Sequence, residues 1–172
     1  LPVADLEDVA RGMARRLKHR GPDRLGSWAS SCGRVAFGHS RLSVVDLTSA
    51  GDQPMTSSDG RWTIVYNGEI YNVSVLRDAV GRPRSAYRGH SDTEVLLESI
   101  AARGVRTTLE NANGMFAFAV WDHLRSELWL ARDRFGEKPI YYSRHRGALI
   151  FASELGALRE LPDFSPSIDR DA

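Results

Sequence analysis

The sequence predicts an α+β domain built from antiparallel hairpins with helices grouped around them, and three observations carry that prediction. Apolar residues of period two crowd into residues 115–153 with only short turns between the runs, as successive antiparallel strands require. Segments of helical period lie outside that block and do not alternate with strands, which argues against a parallel βαβ sheet. With 172 residues, 42% hydrophobic and 26% charged, the chain suits one compact unit that buries its own core.

Leu6, Val9, Met13 and Leu17 recur at helical spacing, with acids before them and bases after them, so the opening segment is an amphipathic helix oriented to suit its dipole. HRGPD (19–23) breaks that helix and leads into a loop. GRVAFGHSRLSVVDL (33–47) and RWTIVYNGEIYN (61–72) are strand-like, separated by the polar loop GDQPMTSSDG, and VSVLRDAV (73–80) is a short helix. Ser91 followed three residues later by Glu94 marks a capping box, so Ser91 is the N-cap of a helix whose buried face carries Val95, Leu96, Ser99 and Ile100. MFAFAVWD (115–122), ELWLARD (127–133), PIYYSR (139–144) and ALIFAS (148–153) follow as strands with turns at HLRS and HRG. ELGALRELP closes the domain as a last helix, and residues 162–172, with Pro162 and Pro166, form a linker.

Composition removes several function classes. A formal charge of +1 gives no general attraction for nucleic acid, and the basic stretch RPRSAYRGH (82–90) lacks interleaved aromatics and so is expected to be a solvated loop. No apolar run nears the roughly 20 residues a membrane span needs, and residues 1–13 lack the layout of a signal peptide, so a cytoplasmic protein with no membrane partner is expected. The single cysteine, Cys32, allows no internal disulfide, and five dispersed histidines show no metal-ligand spacing. No GxSxG, HExxH or GxxxxGK[ST] occurs, and SSCGR offers no local reason for a lowered Cys32 pKa.

Asn67-Gly68 is first of all the preferred pair for a two-residue hairpin turn. A glycine also lets a reacting carbonyl approach a bare backbone N–H, and a neighbouring Asn offers an NH₂ donor, so the same pair suits an oxyanion hole. Arg41 sits in an apolar strand pattern, where it either faces solvent or turns inward onto a fixed carboxylate that a substrate can supply. Asp92 lies in the first turn of the capped helix, where an acid is favourable in any case.

Eight motifs in order, HRGPD (19–23), GHSRLSVVDL (38–47), GDQPM (51–55), NGEIYN (67–72), SDTEVLL (91–97), NGMFAFAVWD (113–122), RDRFGEKPIYY (132–142) and FASELGAL (151–158), resemble the class II glutamine amidotransferase domain of asparagine synthetases. The resemblance covers about residues 6–160. It implies a four-layer αββα sandwich of two antiparallel sheets, the N-terminal-nucleophile hydrolase fold. It further implies a glutaminase in which an N-terminal cysteine attacks the glutamine side-chain amide, its own α-amine acts as base, and a γ-glutamyl thioester hydrolyses after ammonia leaves. By motif, Arg41 grips the glutamine α-carboxylate, Asp92 and Glu69 hold its α-ammonium, and Leu42, Val44 and Val45 line the pocket. Asn67 and the Gly68 N–H form the oxyanion hole, in a turn whose donors also face the reacting carbonyl.

The family opens with Cys-Gly-Ile on an apolar strand, whereas this sequence opens with Leu1-Pro2; Cys32, being internal, has no α-amine and cannot replace that nucleophile. Residues 1–161 are therefore expected to be an amidotransferase domain lacking its first strand. Glutamine and an ATP-dependent synthetase domain of the same parent chain are the expected partners, and a homodimer is allowed. No cofactor is expected in residues 1–172, ATP and Mg²⁺ belonging to the synthetase domain. The alternative is a nucleophile-less, non-catalytic module, as in relatives resembling β-lactam synthetases.

Overall fold

The computed structural model describes residues 3–44, 46–161 and 163–165. Helix α1 (Val3–Arg16) leads into β1 (Arg24–Ala29) and β2 (Ala36–Arg41), then β3 (Met55–Thr56) and β4 (Trp62–Ile70). Three helices follow, α2 (Val73–Val80), α3 (Asp92–Arg103) and α4 (Val105–Asn111), and then β5 (Gly114–Asp122), β6 (Glu127–Arg132), β7 (Tyr141–His145), β8 (Ala148–Ala152) and the four-residue α5 (Leu155–Leu158). All strand pairs are antiparallel: β1 with β2, β3-β4-β5-β6 in one sheet, and β7 with β8. The α+β class stands.

The two-residue repeat of β4 divides its side chains between two cores. Ile64, Tyr66 and Ile70 join Leu96, Ile100 and Phe118 under the helices, whereas Val65 joins Phe37, Ala119 and Trp121 between β2 and the larger sheet. Strand β2 is divided likewise. On its even face α1 comes so close that a Cβ on Gly38 would lie 2.1 Å from the Ala10 carbonyl oxygen, and the Ser40 hydroxyl donates to the Ala14 carbonyl at 2.6 Å. Small residues thus make the closest approach of α1, while Leu6, Val9 and Met13 are only half-buried. A third cluster joins Ile150 and Ala152 to Ala157 and Leu158, with Met13 and Leu17 against it.

Helix α3 is capped as expected, the Glu94 N–H donating to Ser91 Oγ at 3.3 Å. Its burial is wider than one face, because every residue from Thr93 to Ile100 is buried. Glu94 and Glu98 survive there because the 82–90 segment turns its cations inward: Arg88 and the Arg88 and Gly89 N–H groups bind Glu94, and Arg82 with Ser58 binds Glu98. That stretch is consequently not a merely solvated loop.

Other expectations need correction. The run 33–47 is a strand only from Ala36 to Arg41, and the expected loop after HRGPD contains β1. Helix α4 was not foreseen, and the last helix is a single turn. Most of the linker 162–172 lies outside the described residues. The largest correction is Asn67-Gly68: β4 runs uninterrupted through it, pairing Asn67 with Ala117 and Gly68 with Phe116. Nine paired positions along β5 outweigh the local preference of Asn-Gly for a turn.

Candidate functional site

The site begins where β3 stops. Its two residues pair only with Thr63 and Ile64, so beyond Ile64 the outer edge of β4 has no neighbouring strand. Residues 66, 68 and 70 turn their backbone groups to that edge. This follows from pairing: the Phe116 N–H and C=O opposite Gly68 are both taken by Asp133, so the two residues form a non-bonded antiparallel pair. The Tyr66 N–H donates outward to Gln53 Oε1 at 2.6 Å, and the Ile70 N–H to Asp92 Oδ2 at 2.9 Å. Between them the Gly68 N–H points the same way, and among the described residues no side chain receives it. Glycine is required there because a Cβ would lie 2.3 Å from the Met115 carbonyl oxygen and 2.7 Å from the Phe116 Cα.

Asn67 projects from the face of β4 that meets β2, and its Nδ2 is buried without an acceptor. An unpaired buried donor costs roughly 1–3 kcal/mol, so its persistence at a cleft points to a ligand oxygen. The cleft has a volume of about 1050 Å³ and its wall includes Arg41, Leu42, Val44, Asn67, Gly68 and Asp92. Six of the eight residues singled out in the sequence therefore converge. Glu69 is exposed on β4 and does not line the cleft, and Val45 lies outside the described residues.

Arg41 faces inward and is 7% exposed, which decides between the two orientations left open by the sequence. Its fixed carboxylate is supplied by the protein: Nη1 donates to Asp52 Oδ1 at 2.5 Å and to the Thr48 carbonyl at 2.8 Å, and Nη2 to the Asp46 carbonyl. Asp46 anchors this loop, accepting from the Thr48 hydroxyl, the His90 N–H and the Thr48 N–H, which together hold its pKa at about 2. Leu42 and Val44, beyond the strand end, are 57% and 73% exposed although they border the cleft.

Asp92 is already held by protein donors. Oδ2 accepts from the Tyr66 hydroxyl at 2.7 Å as well as from Ile70, and Oδ1 from the Thr93 N–H at 2.8 Å. Burial, then the adjacent Asp92 charge, pushes the Tyr66 phenol far above its usual range, so it stays a donor. Sequence reading missed Gln53, Asp52, Tyr66 and His39, all at this edge. The motifs GDQPM and GHSRL contain Asp52, Gln53 and His39, but only the fold brings these three beside Tyr66 on β4.

Cys32 is exposed in the turn between β1 and β2 and does not itself line the cleft, although its neighbours Gly33 and Arg34 do. Its sulfur lies 3.3 Å from Ser30 Oγ, and hydrogen bonding of the thiolate by Ser30, then by the backbone at Arg34, lowers its pKa, contrary to expectation. Among the described residues no cluster of three His, Cys, Asp or Glu could hold a metal ion, and no helix is long and apolar enough to cross a membrane.

Comparison with known proteins shows the family. A family profile described as a glutamine amidotransferase domain matches residues 2–172. Asparagine synthetase [glutamine-hydrolyzing] 3 of Bacillus subtilis is 41% identical over 160 residues, 92% of this chain and 25% of that protein. Asparagine synthetase B [glutamine-hydrolyzing] of Escherichia coli is 38% identical over 158 residues, 91% of this chain and 27% of that protein. Amidase chry2 of Gibberella zeae is 36% identical over 81% of this chain and 20% of its own length. The chain thus spans about a quarter of the curated relatives it matches. Matched by that profile over nearly its whole length, the chain belongs to the glutamine amidotransferase domain family.

Proposed function

We propose that the chain is the glutaminase domain of a synthetase of the asparagine synthetase type, and that glutamine lies in the cleft with its side-chain amide against Asn67 and Gly68. The observation carrying this reading is the pair of adjacent donors on β4: Asn67 Nδ2 on its cleft face, buried without an acceptor, and the Gly68 N–H at its open edge, turned away from β5. When a nucleophile adds to the amide carbon, negative charge develops on the carbonyl oxygen. Donors fixed in advance stabilise that charge, each by about 2.7–4 kcal/mol. Arg41 takes the α-carboxylate in exchange with Asp52, Asp92 takes the α-ammonium, and Leu42 and Val44 border the side chain; Glu69, exposed and outside the cleft wall, is given no contact.

The nucleophile in this reading is an N-terminal cysteine outside these 172 residues. Its α-amine accepts the thiol proton, sulfur bonds to the amide carbon, ammonia leaves, and water cleaves the resulting thioester to glutamate. Ligand pockets span about 300–1,000 Å³, so a cleft of about 1050 Å³ leaves room for a further segment beside an amino acid. Apolar wall residues such as Phe37, Val65 and Phe151 suit a strand bearing that cysteine. The alternating faces of β2 and β4 support an αββα layering, with α1 outside β2 and α3 outside β4. The greater length of the relatives supports a further domain in the parent chain; in this reading that domain is ATP-dependent and consumes the ammonia.

The test uses the full-length protein and compares glutamine-dependent with ammonia-dependent synthesis. Asn67→Ala is expected to lower the glutamine-dependent kcat by about 10²–10³ and to leave ammonia-dependent synthesis in place. Equal loss of both activities refutes the assigned role.

A further inference from the structure

A second buried atom without a partner belongs to His39, which lines the cleft from β2. Phe37, His39 and Arg41 occupy the face of β2 turned toward β4, since the even residues meet α1. His39 Nε2 lies 3.3 Å from the Tyr66 carbonyl oxygen, which belongs to the peptide bond leading into Asn67. A carbonyl only accepts, so the proton resides on Nε2 and the neutral ring presents Nδ1 as a lone-pair acceptor. Burial keeps the ring neutral by holding its pKa at about 4. Nδ1 is itself buried and receives no donor.

Anchored at one peptide bond, therefore, are a buried donor without an acceptor, Asn67 Nδ2, and a buried acceptor without a donor, His39 Nδ1. A primary carboxamide carries the complement of both on one carbon: an oxygen that accepts and an NH₂ that donates. A carboxylate satisfies Asn67 only, and sets a negatively charged oxygen against the imidazole lone pair. The acid is the product that must leave when the amide is hydrolysed.

We propose that His39 is a specificity-determining residue that distinguishes amide from acid, its Nδ1 accepting an N–H of the substrate carboxamide. The proposal rests on the reading of the cleft as a glutamine site. It assigns His39 no proton transfer; the ring stays neutral and acts as a fixed acceptor. Discrimination arises because only the amide pairs both orphan atoms.

The experiment measures, on the full-length protein, KM for L-glutamine and inhibition constants for L-glutamate and for L-glutamic acid γ-methyl ester. The ester keeps the neutral carbonyl and lacks the N–H. Wild type is expected to hold the ester about tenfold more weakly than glutamine, the loss of one hydrogen bond to a buried acceptor. In His39→Leu the KM for glutamine should rise about tenfold, with amide, ester and acid converging. His39→Gln, which keeps an acceptor oxygen, should restore part of the preference; a purely structural role would shift all three ligands together. An ester bound as tightly as glutamine by wild type overturns the proposal, and this arm needs no variant to fold. A preference preserved in His39→Leu overturns it as well. If Asn67→Ala lowers glutamine turnover while the His39 results fail, only the role of His39 is lost. If wild type neither binds nor hydrolyses glutamine, the glutamine reading falls and the proposal with it.

Discussion

The two faces of β4 are built on opposite terms. Toward the helices, Ile64, Leu96, Ile100 and Val120 have no exposed surface, and the carboxylates buried there, Glu94 and Glu98, each collect several donors. Trp62 Nε1, Arg77 Nε and Tyr87 Oη lack partners on that side, but none of the three residues lines the cleft at Asn67. Toward β2, the packed cluster of Phe37 and Val65 gives way along the same strand to Asn67 and an open cleft where a donor and an acceptor stand unpaired. One strand thus carries a face optimised for stability and a face that keeps polar groups in reserve. Unpaired groups cost stability, and a cleft is where a ligand can return it.

Truncation on the helix side should have the largest effect. Leu96→Ala removes a fully buried side chain from the centre of that core and is expected to cost about 3–4 kcal/mol in denaturant unfolding. A loss below about 1 kcal/mol would mean that this face is not the stable one.

A pH titration of stability probes the cleft side. His39 has a folded pKa of about 4 against an ordinary 6.5, lowered first by burial. Between those values the unfolded chain binds the extra proton, so stability rises with pH across the window, with a slope of at most about 1.4 kcal/mol per pH unit. Arg41 and Asp52 bear on the same ring in opposite senses. His39→Gln should flatten the slope over that interval; an unchanged profile would assign it to other groups.

The smallest effect is expected at Asn67. Because its Nδ2 has no partner to lose, Asn67→Ala should change unfolding free energy by less than about 0.5 kcal/mol. A large destabilisation would show that Asn67 belongs to the packed face after all.

The same contrast explains how much of the molecule was legible in the sequence. Helices α1 and α3 and strands β5 to β8 announce themselves through local period and capping, which a short window contains. Strand β1 does not, because Gly26 sits in it for a distant reason: a Cβ would lie 1.9 Å from the Gln53 carbonyl oxygen. Asn67-Gly68 carries a strong local signal that pairing with β5 overrides. At the site, Arg41, Leu42, Val44, Asn67, Gly68 and Asp92 were found from motifs and do share a cleft. Asp52, Gln53 and His39 act through partners that are neighbours only in space, so no spacing in the chain encodes them.

The glycine at 68 has an evolutionary consequence. Gly114, across the same pair of strands, is equally confined, with the Glu69 carbonyl oxygen 2.2 Å from where its Cβ would be. Any side chain at either position must part β4 from β5 before it can alter chemistry. Selection at these sites therefore reads assembly of the sheet first, and an invariant Gly68 in a mutational library would report abundance as much as turnover. Asn67, one residue earlier, is free of that burden, and its tolerance for substitution in such a library would be a reading of catalysis alone.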